Sequence, residues 1–311
     1  MTKCFWHKTG RAPDAGAHDP ASGAKRRALP FPTLFIIISI VNFLSCATAS
    51  NMFILQPYTL KSPNIEQGSP ITLAVIADLH NTVYGEGQEP LINAIQELAP
   101  DLILLAGDLM DEKTEPFGTE LLLAGLRGVA PLYYVTGNHE YMTKRIGVMR
   151  DILSSYNVII LSDTYVVLTV RGTEILLAGI EDPAKKKYED KTYNQTRVME
   201  RTFSALDAVY PAAYKILIAH RPERIKQYKQ FPFDLIVSGH AHGGQWRIPH
   251  IAENGLYAPN QGFFPKYAGG LYEHGTLTHI VSRGLSLTHP AWIARINNPP
   301  ELVVIHLEGT P

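Results

Sequence analysis

Residues 71–80 read ITLAVIADLH, an apolar, β-branched run that ends on Asp78 and His80. Such a run predicts a buried strand, with a carboxylate and an imidazole where the strand stops. The same grammar recurs down the chain. Leu102 to Ala106 precedes Gly107-Asp108, Leu132 to Thr136 precedes Gly137-Asn138-His139-Glu140, and Ile216 to Ala219 precedes His220. Leu235 to Ser238 precedes Gly239-His240-Ala241-His242-Gly243-Gly244-Gln245. In open sheets with helices between the strands, the carboxyl ends converge on one edge, so residues distant in sequence can meet there.

Carboxylate, imidazole and amide oxygen donors without a thiolate favour divalent ions such as Mn, Fe or Zn. The set is too large for one tetrahedral ion, and a shared carboxylate would make a binuclear centre. Two metals about 3.5 to 4 Å apart can clamp the attacking and leaving oxygens of a phosphoryl displacement and acidify the water between them. Two histidines flanking one alanine share a side of an extended segment, and flanking glycines let the backbone approach a ligand closely. A lone D-x-H or GD at a strand end is usually a turn or a cap; the joint order of the blocks is what points to metal.

That order, D-x-H, GD, GNH[ED], H and GHxH, resembles the calcineurin-like metallophosphoesterase superfamily, over roughly Ile71 to Leu307. The resemblance implies that Asp78, His80, Asp108 and His242 hold one metal and that Asp108, Asn138, His220 and His240 hold a second, with Asp108 bridging. It implies a catalytic role for His139, which would protonate the leaving oxygen or steady the transition state; a protonatable imidazole beside cations suits that role. Purple acid phosphatases continue the second block as GDxxY, whereas Asp111 stands there in this chain. Protein Ser/Thr phosphatases continue it as GDxVDRG, whereas Asp111 is followed by Glu112 and Lys113. Gly243-Gly244-Gln245 resembles instead the bacterial YkuE- and YaeI-like phosphoesterases, as do Gly255 to Pro259, Tyr267 to Tyr272, Ser282 to Leu285 and Arg295 to Leu302.

Periodicity predicts strands near 71–77, 102–106, 131–136, 157–161, 165–170, 174–180, 215–219, 234–238, 277–283 and 302–307. Helices are expected near 90–98, 117–127, 144–155, 195–208 and 222–230. Strand and helix alternate at first and strands then follow one another, which suggests two mixed sheets face to face with helices outside. The resemblance implies the same α/β class, a four-layer αββα sandwich.

Tyr257, Phe263, Phe264, Tyr267 and Tyr272 lie among glycines and prolines. They read as an irregular loop that either packs under its own aromatics or forms a rim for an apolar, lipidic part of a substrate. Arg283 or Arg295 is a candidate phosphate clamp or an ordinary salt-bridge residue. His250, His274, His279, His289 and His306 fall outside the motifs, although His274 sits where it could line the site.

No charged residue occurs from Ala28 to Leu60, Leu34 to Leu44 is almost wholly apolar, and Lys25-Arg26-Arg27 precedes it. This is a membrane-directed segment. The expected organisation is a polar basic tail over 1–27, a signal anchor or signal peptide over 28–49, a linker over 50–69 and the catalytic domain over 70–308. Ala47-Thr48-Ala49 offers a cleavage site before Ser50, and Cys46 loosely resembles a lipoprotein acceptor. Either way the catalytic domain should face away from the cytoplasm, at the cell membrane or exported after cleavage near Ala49.

The net charge of -1 gives no electrostatic footprint for nucleic acid. The two cysteines, Cys4 and Cys46, both precede the globular part. Lys185-Lys186-Lys187 reads as a solvated loop or helix start. The expectation is a membrane-associated phosphoesterase with two divalent ions that attacks a phosphomono- or phosphodiester with a metal-bridging hydroxide. One alternative is a pyrophosphate hydrolase on a lipid-linked nucleotide of the UDP-2,3-diacylglucosamine type. Another, of a different class, is a non-catalytic metal-binding envelope protein; His139 separates it from an enzyme.

Overall fold

The computed structural model describes residues 52–248, 250–287 and 294–310. The tail over 1–27, the apolar segment over 28–49, Cys4, Cys46, the cleavage site at Ala49 and His289 lie outside the described residues. Among those described, no helix is long and apolar enough to cross a membrane.

The strands are β1 (Ile54–Ser62), β2 (Ile71–Ile76), β3 (Leu102–Leu105), β4 (Leu132–Tyr134), β5 (Ile159–Ile160), β6 (Thr164–Val170) and β7 (Thr173–Ile180). They continue as β8 (Tyr214–Ala219), β9 (Leu235–Ser238), β10 (Tyr257–Ala258), β11 (Gly262–Phe263), β12 (Gly270–His274), β13 (Leu277–Val281) and β14 (Glu301–Gly309). One six-stranded sheet has the order β1-β14-β2-β3-β4-β5, a second the order β12-β13-β9-β8-β7-β6, and β10 and β11 form a small antiparallel ladder.

Both large sheets are mixed. Strands β2 to β5 run parallel, as do β7, β8, β9 and β13, while β14 opposes β2 and the outer strands β6 and β12 oppose β7 and β13. The turn between β6 and β7 is Arg171-Gly172, both at positive φ (47° and 84°), which a two-residue hairpin of the right twist requires.

Alternation along each strand sorts the side chains into layers. Leu73, Val75 and Ala77 face Ile216, Ile218 and Val237 of the other sheet in one core between the sheets. Their neighbours Ala74 and Ile76 pack outward on Leu91, Ile95, Leu122 and Met149 from the covering helices. Leu176, Ala178 and Leu217 pack outward from the second sheet on Met199 and Phe203. Strands covered on both faces read as continuous apolar runs, and the sequence of layers is the expected αββα sandwich.

The helices follow from their own spacing. Glu89–Leu98 buries Leu91 and Ile95, Ile146–Ser155 buries Met149 and Leu153, and Gln195–Phe203 buries Gln195, Met199 and Phe203. Each set repeats every four residues, one face of a helix. Asn194 caps the last of these, its side-chain oxygen accepting from the Arg197 N–H at 3.2 Å.

Several expectations are corrected. The linker expected over 50–69 carries β1, paired in parallel with β14 from Ile54–Glu301 to Ser62–Gly309. The helix expected over 195–208 is two, Gln195–Phe203 and Leu206–Val209. The stretch expected at 222–230 is a 3-10 turn, Pro222–Arg224, followed by the short helix Ile225–Tyr228. The irregular loop of 256–272 contains β10 and β11 and the start of β12.

Candidate metal centre

The parallel strands end in register, so their following residues crowd one edge of both sheets. Leu73 pairs with Leu102 and Ile103 with Leu132 in the first sheet, and Ile216 pairs with Leu235 in the second. Asp78, His80, Asp108, Asn138 and His139 arrive from the first sheet, and His220, His240 and His242 from the second. Asp78, His80 and His242 each offer a donor atom within 4.8 Å of one another, as do Asp108, His220 and His240. A third group joins His80 to Asp111 and His139.

The backbone is bent to achieve this. Asp78, His80, Asp108, His240 and His242 all have positive φ, from 47° to 68°, a conformation that costs side-chain-bearing residues energy and marks functional sites. The expected extended arrangement of His240 and His242 is therefore replaced by a turn, with His242–Gly244 in a 3-10 helix. Gly107 (φ 88°) and Gly239 make room for the carboxylates and imidazoles. A Cβ on Gly107 would lie 2.7 Å from His220 Nδ1, and one on Gly239 would lie 2.5 Å from Asp78 Oδ2.

Backbone groups then fix the donors. The His240 N–H donates to both Asp78 oxygens at 2.9 Å, and the His139 N–H donates to Asp108 Oδ1 at 2.7 Å. His220 Nδ1 lies 2.8 Å from the Ala106 carbonyl, which can only accept. In the neutral ring the proton is thereby placed on Nδ1, which leaves Nε2 its lone pair. That Nε2 and Asp108 Oδ2 stand 3.0 Å apart without hydrogen-bond alignment. Asn138 Oδ1 is likewise buried without a hydrogen-bond partner.

Buried polar atoms left this way cost free energy unless something else satisfies them. A divalent cation would do so, and the oxygen and imidazole donor set fits one. Histidine ligands that pass their other ring nitrogen to a carbonyl are the usual supporting arrangement.

Electrostatics carry the same signature of crowded charge. Burial, with Asp108 next to it, pushes the Asp78 carboxyl up to about 6 despite the opposing pull of His220. Burial disfavours a charged His220, but Asp108 and Asp78 outweigh it and raise the imidazole to about 10. His240 is pushed well down by burial and by Arg221.

His139 approaches from the same edge. Its Nδ1 lies 2.5 Å from Glu112 Oε2, and its ring centroid is 4.7 Å from that of His80. Burial lowers its affinity for a proton, yet Asp108 and Glu112 together raise it above the ordinary value. Glu140, quoted with its motif but given no role by sequence, is fully buried and knits two blocks together. Its Oε2 accepts from the N–H groups of Gly137 (2.8 Å) and Asp108 (3.0 Å), and Oε1 from those of Leu109 (2.6 Å) and Met110 (3.2 Å).

A cavity of about 710 Å³ opens over Asp108, Asn138, His139, His240 and His242. Arg221 lines it and is gripped by Asp182 through Nε (2.6 Å) and Nη2 (3.1 Å). Its Nη1 donates to Asn260 Oδ1 at 2.6 Å, and the same oxygen is 2.8 Å from His240 Nε2. Adjacency to His220 could have flagged Arg221; nothing in the sequence flags Asn260, Asp182 or Glu112, whose partners are distant or across a turn.

Arg283 and Arg295 do not line the cavity. Arg283 Nε is 3.3 Å from Glu301 Oε2, and Arg295 is buried with Nη2 donating to the Arg283 carbonyl at 2.7 Å. Both make contacts within the protein. His274 packs on Tyr267 and His279 instead of the site. Of the aromatic stretch, Pro259 and Asn260 reach the cavity, while Phe263 and Phe264 point to solvent, 72% and 64% exposed.

Comparison with known proteins agrees with this arrangement. Residues 71–244 match the family model described as calcineurin-like phosphoesterase. The chain is 28% identical over 263 residues to the metallophosphoesterase YkuE of Bacillus subtilis, covering 81% of this chain and 85% of that one. It is 28% identical over 297 residues to a metallophosphoesterase of Campylobacter jejuni, covering 90% and 70% respectively. A transmembrane protein with a metallophosphoesterase domain from Bos taurus is 28% identical over 288 residues, covering 88% of this chain, which spans 61% of the bovine length.

Proposed function

Because the chain belongs to the calcineurin-like phosphoesterase family and is a hydrolase of phosphoester bonds, we propose that it cleaves phosphomono- or phosphodiesters with two divalent metal ions. The observation that supports this most is the pair of donor triads meeting beside His139. Asp78, His80, Asp108 and His242 would hold one ion; Asp108, Asn138, His220 and His240 would hold the other. Bound there, Mn, Fe or Zn would neutralise phosphoryl oxygens and acidify water in the site.

The protein's own residues do the rest. Glu112 accepts the Nδ1 proton of His139, and the doubly protonated imidazole carries a second proton on Nε2, which passes to the leaving oxygen as the phosphorus–oxygen bond breaks. Asp108 and Glu112 keep that imidazole protonated to higher pH than a free one. The Ala106 carbonyl holds His220 in its Nε2 lone-pair tautomer.

Replacing Asp108 with Asn should abolish turnover of an aryl phosphodiester and lower metal content together. Hydrolysis at the wild-type rate by purified Asp108→Asn protein would show that Asp108 does not bridge.

A second reading is cleavage of the pyrophosphate bond in a lipid-linked nucleotide of the UDP-2,3-diacylglucosamine type. The exposed Phe263 and Phe264, on the hairpin whose tip reaches the cavity, favour it. It entails release of UMP from such a substrate; turnover of simple diesters with none of the nucleotide-lipid removes it. The apolar segment over 28–49 would hold the enzyme at a membrane with its site on the extracytoplasmic face, or direct its export with cleavage near Ala49.

A further inference from the structure

Besides the metal donors the cavity lining includes a wall that carries cations, and we propose that it binds a second anionic group, so that the preferred phosphoester carries another phosphate or carboxylate besides the reacting one. The inference rests on the phosphoesterase reading above and narrows its substrate class. A volume of about 710 Å³ is on the scale of sites for whole small molecules, roughly 300 to 1,000 Å³. It leaves most of the space to something other than the reacting phosphate.

Lys187, Arg221 and Arg224 contribute cations to the lining. The charge of Arg221 is answered inside the protein, by Asp182 at 2.6 Å and by Glu223 at 3.7 Å. Arg224 is different. Its Nε and Nη2 donate to Gln227 Oε1 at 3.1 and 2.6 Å, and among the described residues no carboxylate lies within ion-pair distance of it. A neutral acceptor orients a guanidinium without cancelling its charge, which leaves the charge and the remaining Nη N–H groups to bind an oxyanion.

Lys187 likewise has no ion-pair partner among the described residues; its Nζ lies 4.7 Å from the centre of the Tyr188 ring. Glu223 also lines this wall, and its carboxylate is committed to Arg221 Nη1 at 3.7 Å. Met142, Pro183 and Pro259 also contribute to the lining, with surface for an apolar spacer between the two anions. The cationic wall also continues: Arg224 and Pro183 border an adjoining cavity of about 210 Å³ that Lys186 lines.

The test is calorimetric titration of the full chain in detergent, loaded with Mn, using propylphosphonate and α,ω-alkane bisphosphonates of increasing length. Wild-type protein is compared with Lys187→Gln/Arg224→Gln, each preparation checked by its thermal midpoint. We expect the wild type to bind at least one bisphosphonate about tenfold more tightly than the monophosphonate, and the double variant to bind the two alike. Absence of a preference in the wild type, or its survival in the double variant, overturns the second-anion site. If the double variant does not fold, Lys187→Gln alone, at an exposed residue, should cut the preference two- to threefold by the same scale of charge-assisted contact. Because binding is read directly, a protein that hydrolyses no phosphoester defeats the hydrolase reading, and one that hydrolyses them without this preference defeats only the second-anion site.

Discussion

Glu112 decides which nitrogen of His139 is available for chemistry, because its carboxylate occupies Nδ1 at 2.5 Å. Replacement by Gln keeps the shape and removes one of the charges that raise the imidazole, so the proton should leave at lower pH. Activity that needs the protonated form falls as pH rises through that value; in Glu112→Gln the alkaline limb should therefore move to lower pH, with kcat down about 10- to 100-fold. A rate profile across pH, with metal content measured in parallel, checks this; an unmoved limb would remove Glu112 from its positioning role. Individual donors were legible in the sequence because each directly follows an apolar run that had to be a strand. Glu112, Asp182 and Asn260 were not, since a carboxylate or amide in a turn looks the same whether it faces solvent or clamps a histidine or an arginine 27 to 39 residues away.

Strand β13 shows how an element carries a cost that its sequence conceals. His279 is fully buried, its Nε2 3.1 Å from Ser238 Oγ, and burial together with His274 pushes its pKa down to about 3. The unfolded chain takes up this proton near the ordinary value of about 6.5. Stability from keeping His279 neutral is thus complete above that pH and is lost as pH falls toward 3. The substitution His279→Phe should flatten the decline in unfolding free energy between pH 7 and 4.5 by about 2 kcal/mol, read from denaturant melts at each pH. An equal slope in both proteins would place the acid sensitivity elsewhere. Edge elements were the least legible: β1 alternates exposed and half-buried residues and includes Pro57 and Lys61, so its pattern is that of a linker until β14 supplies the partner. Strand β12, Gly270–His274, was hidden for the same reason, being an outer strand whose residues are at most half-buried.

The two sheets contribute different donors to one site, so bound metal would join them across the central core. Chelation should therefore lower stability of the whole domain and not only of the loops. For metal present at a thousand times its dissociation constant the linkage is about 4 kcal/mol, or roughly 10 °C in thermal midpoint for a domain of this size. Scanning calorimetry with and without EDTA measures it, and an unchanged midpoint would mean that the donor set holds no structural metal. The sandwich was foreseeable from strand and helix order, whereas the place of β14 between β1 and β2 was not, because strand order within a sheet leaves no local mark. That placement governs how the chain is made. β1 and the β2 edge beside it find their partner only in residues 301–309, more than two hundred positions later, and contacts of such separation form slowly. On the ribosome β1 and the free edge of β2 cannot pair until residues 301–309 have left the exit tunnel, so β1 must wait without its partner, exposed to chaperones, while the residues between are made.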